Sequence, residues 1–391
     1  MSEPERIDPL GELDALLELG RRAPGSDAER RAAVHLRDRL AALGRDAELE
    51  ALDAYPHWPL AYTILAAATV AASVLAVYVP VAGASVALVA ALLTFLDAAL
   101  LIPTLRRPLG RRASQNVVSK GGGPSAGALV LVAHSDAGRG GMAHSSRLAR
   151  HPIGGLQPLF WAQLGVLACA LLRLAGVDGT ALTIAQFVPT LVLIVAVALL
   201  IDIALSPTRG GENDNASGCV VVMRLAERFG TPETLQYFNL HVLFTGAEHA
   251  GAAGMRAFLK RHELPRDHTV FLNVDRVGSG EARYTRREGA LFTQRSHPQL
   301  TALCEQIVED ELDAGPLTSR SASDASAAGA AGYAAITVTC RDSGGYASGR
   351  VAEESLANAE AFCAELIERI DAELGPSLAA PVEETALSEP Q

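Results

Sequence analysis

The chain has 391 residues, 49% of them hydrophobic, and a mean hydropathy of +0.20. That length allows one large α/β domain or two medium ones, and the hydropathy is high for a wholly soluble protein. A formal net charge of −11 argues against a nucleic-acid partner. The five cysteines (Cys169, Cys219, Cys304, Cys340 and Cys363) are scattered, odd in number and without CxxC spacing, so they suggest neither a disulfide framework nor a zinc ribbon.

The chain opens Met1-Ser2-Glu3-Pro4-Glu5-Arg6, an acidic start without the basic and apolar regions of an export signal. Leu13, Leu16, Leu17 and Leu19 form one apolar stripe, Pro24-Gly25-Ser26 breaks it, and Ala33, Leu36, Leu40 and Leu43 form a second before Gly44. This predicts helices within residues 9–45. Residues 46–52 read as a strand. From Pro59 to Leu96 there is no charged residue, enough for two membrane crossings of roughly 20 residues each, with the turn at Val79-Pro80-Val81-Ala82-Gly83.

A second apolar block, Leu156 to Leu205, is interrupted by Arg173 and Asp178 around Gly176 and Gly179 and divides into two further spans. The expected organisation is therefore two transmembrane hairpins, residues 58–105 and 156–206, inserted into a soluble domain built from residues 1–57, 106–155 and 207–375. Residues 376–391, rich in Pro and Glu, are expected to be disordered. Arg106, Arg107, Arg111 and Arg112 follow the first hairpin, Arg139, Arg147 and Arg150 precede the second, and Arg209 follows it. The positive-inside rule then places the polar domain on the cytoplasmic side of the bilayer. Asp97 and Asp202, near the ends of spans, read as solvated at headgroup level.

Between and beyond the hairpins, strands are expected at 116–118, 128–133, 241–244, 270–274 and 334–339. Helices are expected from Ser217, around 255–259, at 298–312 and at 352–374. Strands alternating with helices imply an α/β fold with a mostly parallel central sheet covered on both faces.

The chemistry-bearing residues sit at strand ends. His134-Ser135-Asp136, Glu248-His249 and Asn273-Val274-Asp275 each close an apolar run, while Asn213-Asp214-Asn215-Ala216-Ser217-Gly218 and Ser323-Asp324 precede helices. An open parallel sheet binds ligands beyond the carboxyl ends of its strands. Zinc takes imidazole nitrogen and carboxylate oxygen at about 2.0–2.2 Å. His134, Asp214 and Asp275 would complete one site with a position left for water, Asp136 would orient the His134 imidazole, and Glu248 would be the general base. Taken singly, Asp214 reads equally well as a helix N-cap, and His134 and Asp275 as strand-end or turn residues. Their common order and placement favour the metal site.

These segments, with the opening Ala23-Pro24-Gly25-Ser26 and an Arg-rich helix ending at Gly44, resemble the M28 family of zinc metallopeptidases over roughly residues 10–52, 114–140 and 208–374. The resemblance implies a zinc-peptidase fold, two zinc ions bridged by Asp214, and hydrolysis of unstructured peptides by aminopeptidase or carboxypeptidase action. Two positions depart from it. His249 stands where the family has a second Glu, and the segment Gly345-Tyr346-Ala347-Ser348-Gly349 has Ala347 where the family has a metal-binding His. The second site would keep Asp214 and His249, with Cys340 or His144 as substitutes, so one zinc ion is expected and two are possible. The expected function is a membrane-anchored zinc peptidase of aminopeptidase type, using a metal-bound water on peptide or protein N-termini near the lipid bilayer. The competing expectation is an inactive M28-like pseudo-peptidase serving as a membrane scaffold or binding module.

Overall fold

The structure, a computed structural model, describes residues 7–99, 102–123, 125, 127–144, 155–231, 233–310, 312–342 and 350–378. Helices α1 (Pro9–Glu18) and α2 (Asp27–Ala42) begin at Asp8 and Ser26, whose side chains accept hydrogen bonds from first-turn amides. Then follow β1 (Glu48–Ala54), the apolar helices α3 (Trp58–Tyr78) and α4 (Pro80–Ala98), β2 (Arg112–Ser119) and β3 (Gly127–His134). A second apolar pair, α5 (Gln157–Leu174) and α6 (Thr180–Leu205), leads to α7 (Ser217–Phe229), β4 (Phe238–Thr245), α8 (Ala253–Arg261) and β5 (Thr269–Val274). The chain ends with β6 (Glu281–Glu288), β7 (Gln294–Arg295), α9 (Pro298–Glu309), β8 (Ala314–Ser319), α10 (Asp324–Ala330), β9 (Ala334–Arg341) and α11 (Glu353–Arg369).

The nine strands form one sheet in the order β1-β2-β4-β3-β5-β9-β6-β7, with β8 beside β6. Its centre, β4-β3-β5-β9, is parallel. The flanks are antiparallel at β1-β2, β2-β4, β6-β9 and β6-β7, while β8 runs parallel to β6. The sheet is thus mixed, and the parallel sheet expected from the sequence is its centre. Strands β3 and β5 are buried along their whole length, as strands covered on both faces must be. One face packs Leu129, Leu131, Val242 and Leu272 against α1, α2, α7, α9 and α11. The other packs Val130, Val132 and Phe271 against Met255 and Phe258 of α8 and Ala325 and Ala328 of α10.

Helices α3, α4, α5 and α6 are each long and apolar enough to cross a membrane, with window hydropathies of 2.1, 2.0, 1.3 and 2.7. They pack mainly on one another through small residues such as Ala66, Ala72, Ala87 and Ala90. Their outward surfaces are Leu88, Val89, Ile184, Phe187, Val188 and Val195, all exposed. Large apolar side chains thus lie outside and alanine inside, which leaves an extended apolar surface uncovered by the rest of the chain.

Two expectations need correction, those for Asp97 and for the start of the tail. Asp97 is not at the headgroup level in contact with solvent: it is 2% exposed and ion-paired with the equally buried Arg106. Asp202 is half-buried, its carboxylate accepting from the Met142 amide at 2.6 Å. Residues 376–378, expected to start a disordered tail, instead belong to a short helix, Gly375–Leu378, whose first residue lies against Tyr237. Residues 343–349, including Tyr346 and Ala347, and residues 379–391 lie outside the described residues.

Candidate metal centre

Four loops at the carboxyl ends of β3, β4 and β5 and at the start of α7 meet at one rim. His134 is the last residue of β3 and is 2% exposed; Asp275 follows β5 and is 5% exposed; Asp214 lies in the irregular turn before α7 and is 7% exposed. The Nε2 of His134 is 3.3 Å from Asp275 Oδ1 and 3.5 Å from Asp214 Oδ1. The other Asp214 oxygen is 3.5 Å from His249 Nε2, so this carboxylate stands between the two imidazoles. The structure gathers His134, Asp214 and Asp275 into one potential ligand group and His134, Glu248 and His249 into a second.

The amides beside Asp214 explain the convergence. Asn215 donates to the Val274 carbonyl at 2.9 Å, and its Oδ1 accepts from the amides of Gly218 at 3.1 Å and Arg276 at 2.9 Å. Asn213 Oδ1 accepts from the Gly278 amide at 2.7 Å. These bonds lace the Asp214 turn to the loop carrying Asp275. Gly218 is needed at the crossing, since a Cβ there would lie 2.4 Å from both Asn215 Oδ1 and the Val274 carbonyl.

Asp136 does more than orient one imidazole. Its carboxylate, fully buried, lies 3.3 Å from His134 Nδ1 and 3.2 Å from His249 Nδ1. It also accepts from the backbone amides of Glu248 at 2.9 Å and His249 at 3.0 Å. Although burial opposes ionisation, the two histidines hold Asp136 well below the ordinary carboxylate range. It therefore fixes both imidazoles and the turn carrying the candidate base. Burial raises the Glu248 carboxyl above its usual value, against the opposing pull of His249 and His134.

Other residues in this machinery are silent in the sequence. Arg22, 1% exposed, donates to the carbonyls of Ser135 at 2.9 Å, Gly211 at 2.9 Å and Leu16 at 3.1 Å, joining the N-terminal helices to two ligand loops. Glu29 accepts from the amides of Ala247 and Gly25 at 2.8 and 2.7 Å, holding Ala247 at φ +52°. Burial and the nearby Asp136 push Glu29 up to about 8. Asp324 is raised likewise to about 8, by burial and then Glu248, and accepts from the Thr245 hydroxyl. A capping signal at Ser26 with Glu29 three residues on marks a helix start but gives no sign that Glu29 reaches a turn 218 residues away.

Two arginines also reach the ligand group. Arg209 pairs with Asp214, and Arg276 donates to Asp275 Oδ2 at 2.8 Å. Cys340 is fully buried and pushed up to about 12 by burial, which keeps it a neutral thiol. It belongs to neither potential ligand group, and neither does His144, which is exposed.

The residues present fit a zinc ion. Asp214 Oδ1 is buried without a hydrogen-bond partner, and it faces a nitrogen–oxygen donor set of the kind zinc prefers.

The fold is one that zinc-dependent exopeptidases share. A Zn-dependent exopeptidase from Parabacteroides distasonis superposes with a TM-score of 0.52 at 12% identity, covering 93% of this chain and 99% of that one. BSAP, a zinc aminopeptidase from Bacillus subtilis, gives 0.52 at 12% identity over 92% and 94%. A Tannerella forsythia glutaminyl cyclase gives 0.51 at 11% identity over 92% and 96%. Identities this low establish a shared fold. Residues 196–359 match the model of peptidase family M28, a stretch that includes Asp214, Glu248, His249 and Asp275. No curated protein matches the sequence.

Proposed function

We propose that this protein is a membrane-anchored, zinc-dependent peptidase that hydrolyses peptide bonds by aminopeptidase-type chemistry, with its peptidase domain on the cytoplasmic side. The observation that carries the reading is the convergence of His134, Asp214 and Asp275 around a buried, unpartnered carboxylate oxygen beside Glu248. His134, Asp214 and Asp275 would hold one zinc ion, with His249 able to share Asp214 if a second binds. The ion, when bound, would polarise a peptide carbonyl and acidify water.

Glu248 takes the proton. Its raised pKa makes it a stronger base than an ordinary glutamate while His249, 3.2 Å away, keeps it oriented. Asp136 holds the Glu248 and His249 amides in place throughout. The anchoring rests on the four apolar helices and their exposed outer faces. The cavity over the site, about 790 Å³, is lined by Asp214, Glu248 and His249 and also by Trp58 and Tyr62 of α3 and Ala98 of α4. Such a cavity suits peptides or protein ends held at the bilayer surface.

A second reading, a catalytically inactive membrane scaffold, draws on the pairing of Arg209 and Arg276 with Asp214 and Asp275, which neutralises the acids without a metal. Full-length protein purified in detergent distinguishes the two. Near-stoichiometric zinc, with peptide hydrolysis abolished by Glu248→Gln, supports the enzyme; folded, metal-free protein that hydrolyses nothing defeats it.

A further inference from the structure

The cavity over the metal centre has an unusual charge balance. Seven arginines line it against four carboxylates, Asp97, Glu212, Asp214 and Glu248. Three of those arginines are neutralised by ion pairs, Arg106 by Asp97, Arg209 by Asp214 and Arg276 by Asp275. Arg341, the last residue of β9, is not. Its Nη1 donates to the Thr339 hydroxyl and the Cys340 carbonyl, both at 2.8 Å, and among the described residues no carboxylate pairs with it. Arg139 likewise donates to neutral acceptors, the carbonyls of Ala204 at 3.1 Å and Ser206 at 3.3 Å.

A half-buried guanidinium without a counter-ion is costly to keep charged, and arginine does not relieve the cost by losing its proton near neutral pH. Burial and then the neighbouring Arg276 push Arg341 down to about 10, and Asp275 and Asp214, already paired with other arginines, offset this only in part. An anion bound in the cavity would balance it. The fork of a guanidinium suits a carboxylate in particular, and among the described residues Nε and Nη2 of Arg341 have no hydrogen-bond partner.

We infer that the substrate carries an anionic group which Arg341 binds in the cavity beside the metal centre. Building on the peptidase reading, this makes the substrate a peptide with either a free terminal carboxylate close to the reacting bond or an acidic side chain near it. Both sources offer the same carboxylate, and Arg341 acts as a specificity-determining residue.

The test is a binding measurement, so it does not depend on turnover. Full-length protein carrying Glu248→Gln, zinc-loaded in detergent, is titrated calorimetrically with three alanine tetrapeptides: one with a free carboxylate, one with a C-terminal amide, and one amidated with glutamate at its second position. At least one of the two anionic peptides should bind about tenfold tighter than the neutral amide, the size expected of a hydrogen bond to a charged partner. Whichever does so identifies the source. Arg341→Gln should erase the difference and Arg341→Lys should restore part of it. If Arg341→Gln does not fold, salt decides: raising NaCl from about 50 to about 500 mM should shrink the preference several-fold in the parent protein. Equal binding of all three peptides, a preference indifferent to salt, or one that survives Arg341→Gln overturns the inference. Failure of the Glu248-intact protein to hydrolyse any peptide would instead defeat the peptidase reading and leave the binding preference standing.

Discussion

Arg106 joins the end of the first apolar hairpin to the turn that carries the candidate base. Its guanidinium pairs with Asp97, both residues being almost wholly buried, and its Nη1 donates to the Ala250 carbonyl at 2.9 Å, two residues beyond Glu248. Removing one member of a buried pair leaves the other charge unbalanced, at a cost of about 3–5 kcal/mol. Asp97→Asn and Arg106→Met should each lower the melting temperature in detergent, whereas the double variant Asp97→Leu with Arg106→Met should recover much of it. Arg106→Met should also slow hydrolysis, because the turn loses its anchor; full activity in that variant would argue against the link.

Asn215 makes three of the bonds that bring Asp214 to Asp275. Asn215→Ala leaves buried backbone groups without partners, at about 1–3 kcal/mol for each. Zinc affinity, measured by competition with a chromophoric chelator, should fall at least about tenfold as the ligands separate. Unchanged affinity would mean that other contacts hold the turn.

Asp214→Asn tests the centre itself. The amide keeps the shape but loses the charge and one of the oxygens that face His134 and His249. Zinc per protein chain, by elemental analysis after dialysis, should drop from near stoichiometric to near zero. Retention of a full equivalent would move the metal elsewhere.

Glu288 offers a pH prediction away from the metal. It is 5% exposed, accepts from Ser323 Oγ at 2.9 Å and from Thr337 Oγ1 at 3.1 Å, and burial raises it from 4.5 to about 7. Because the folded state holds this proton more tightly than the unfolded chain, its contribution is complete below pH 4.5 and is lost as pH rises through about 7. Glu288→Gln mimics the protonated form and should match the parent at pH 5 while melting higher at pH 8, by up to roughly 3 kcal/mol. A constant offset across that range would refute the shifted ionisation.

Elements with strong periodicity or long apolar runs were legible in the chain: both hairpins, the central strands β3, β5 and β9, and the amphipathic helices. Strand β6 was not. Its sequence, Glu-Ala-Arg-Tyr-Thr-Arg-Arg-Glu over residues 281–288, reads as a polar segment because two of its four buried residues, Thr285 and Glu288, are themselves polar. Strand β8 contains Gly315 and Pro316 and becomes a strand through its pairing with β6.

By itself the sequence determined the identity and order of the residues that can bind zinc, since imidazole and carboxylate at strand ends limit the chemistry available. It also determined which segments are long and apolar enough to cross a membrane, a property of length and composition alone. The tertiary structure decided what those residues touch. That Asp136 secures the His249 imidazole and the base turn, that Arg22 and Glu29 reach loops more than a hundred residues away, and that Arg106 reaches the Ala250 carbonyl all depend on contacts between distant parts of the chain. Local pattern records the period of a helix or strand; it does not record which charge will be enclosed with which.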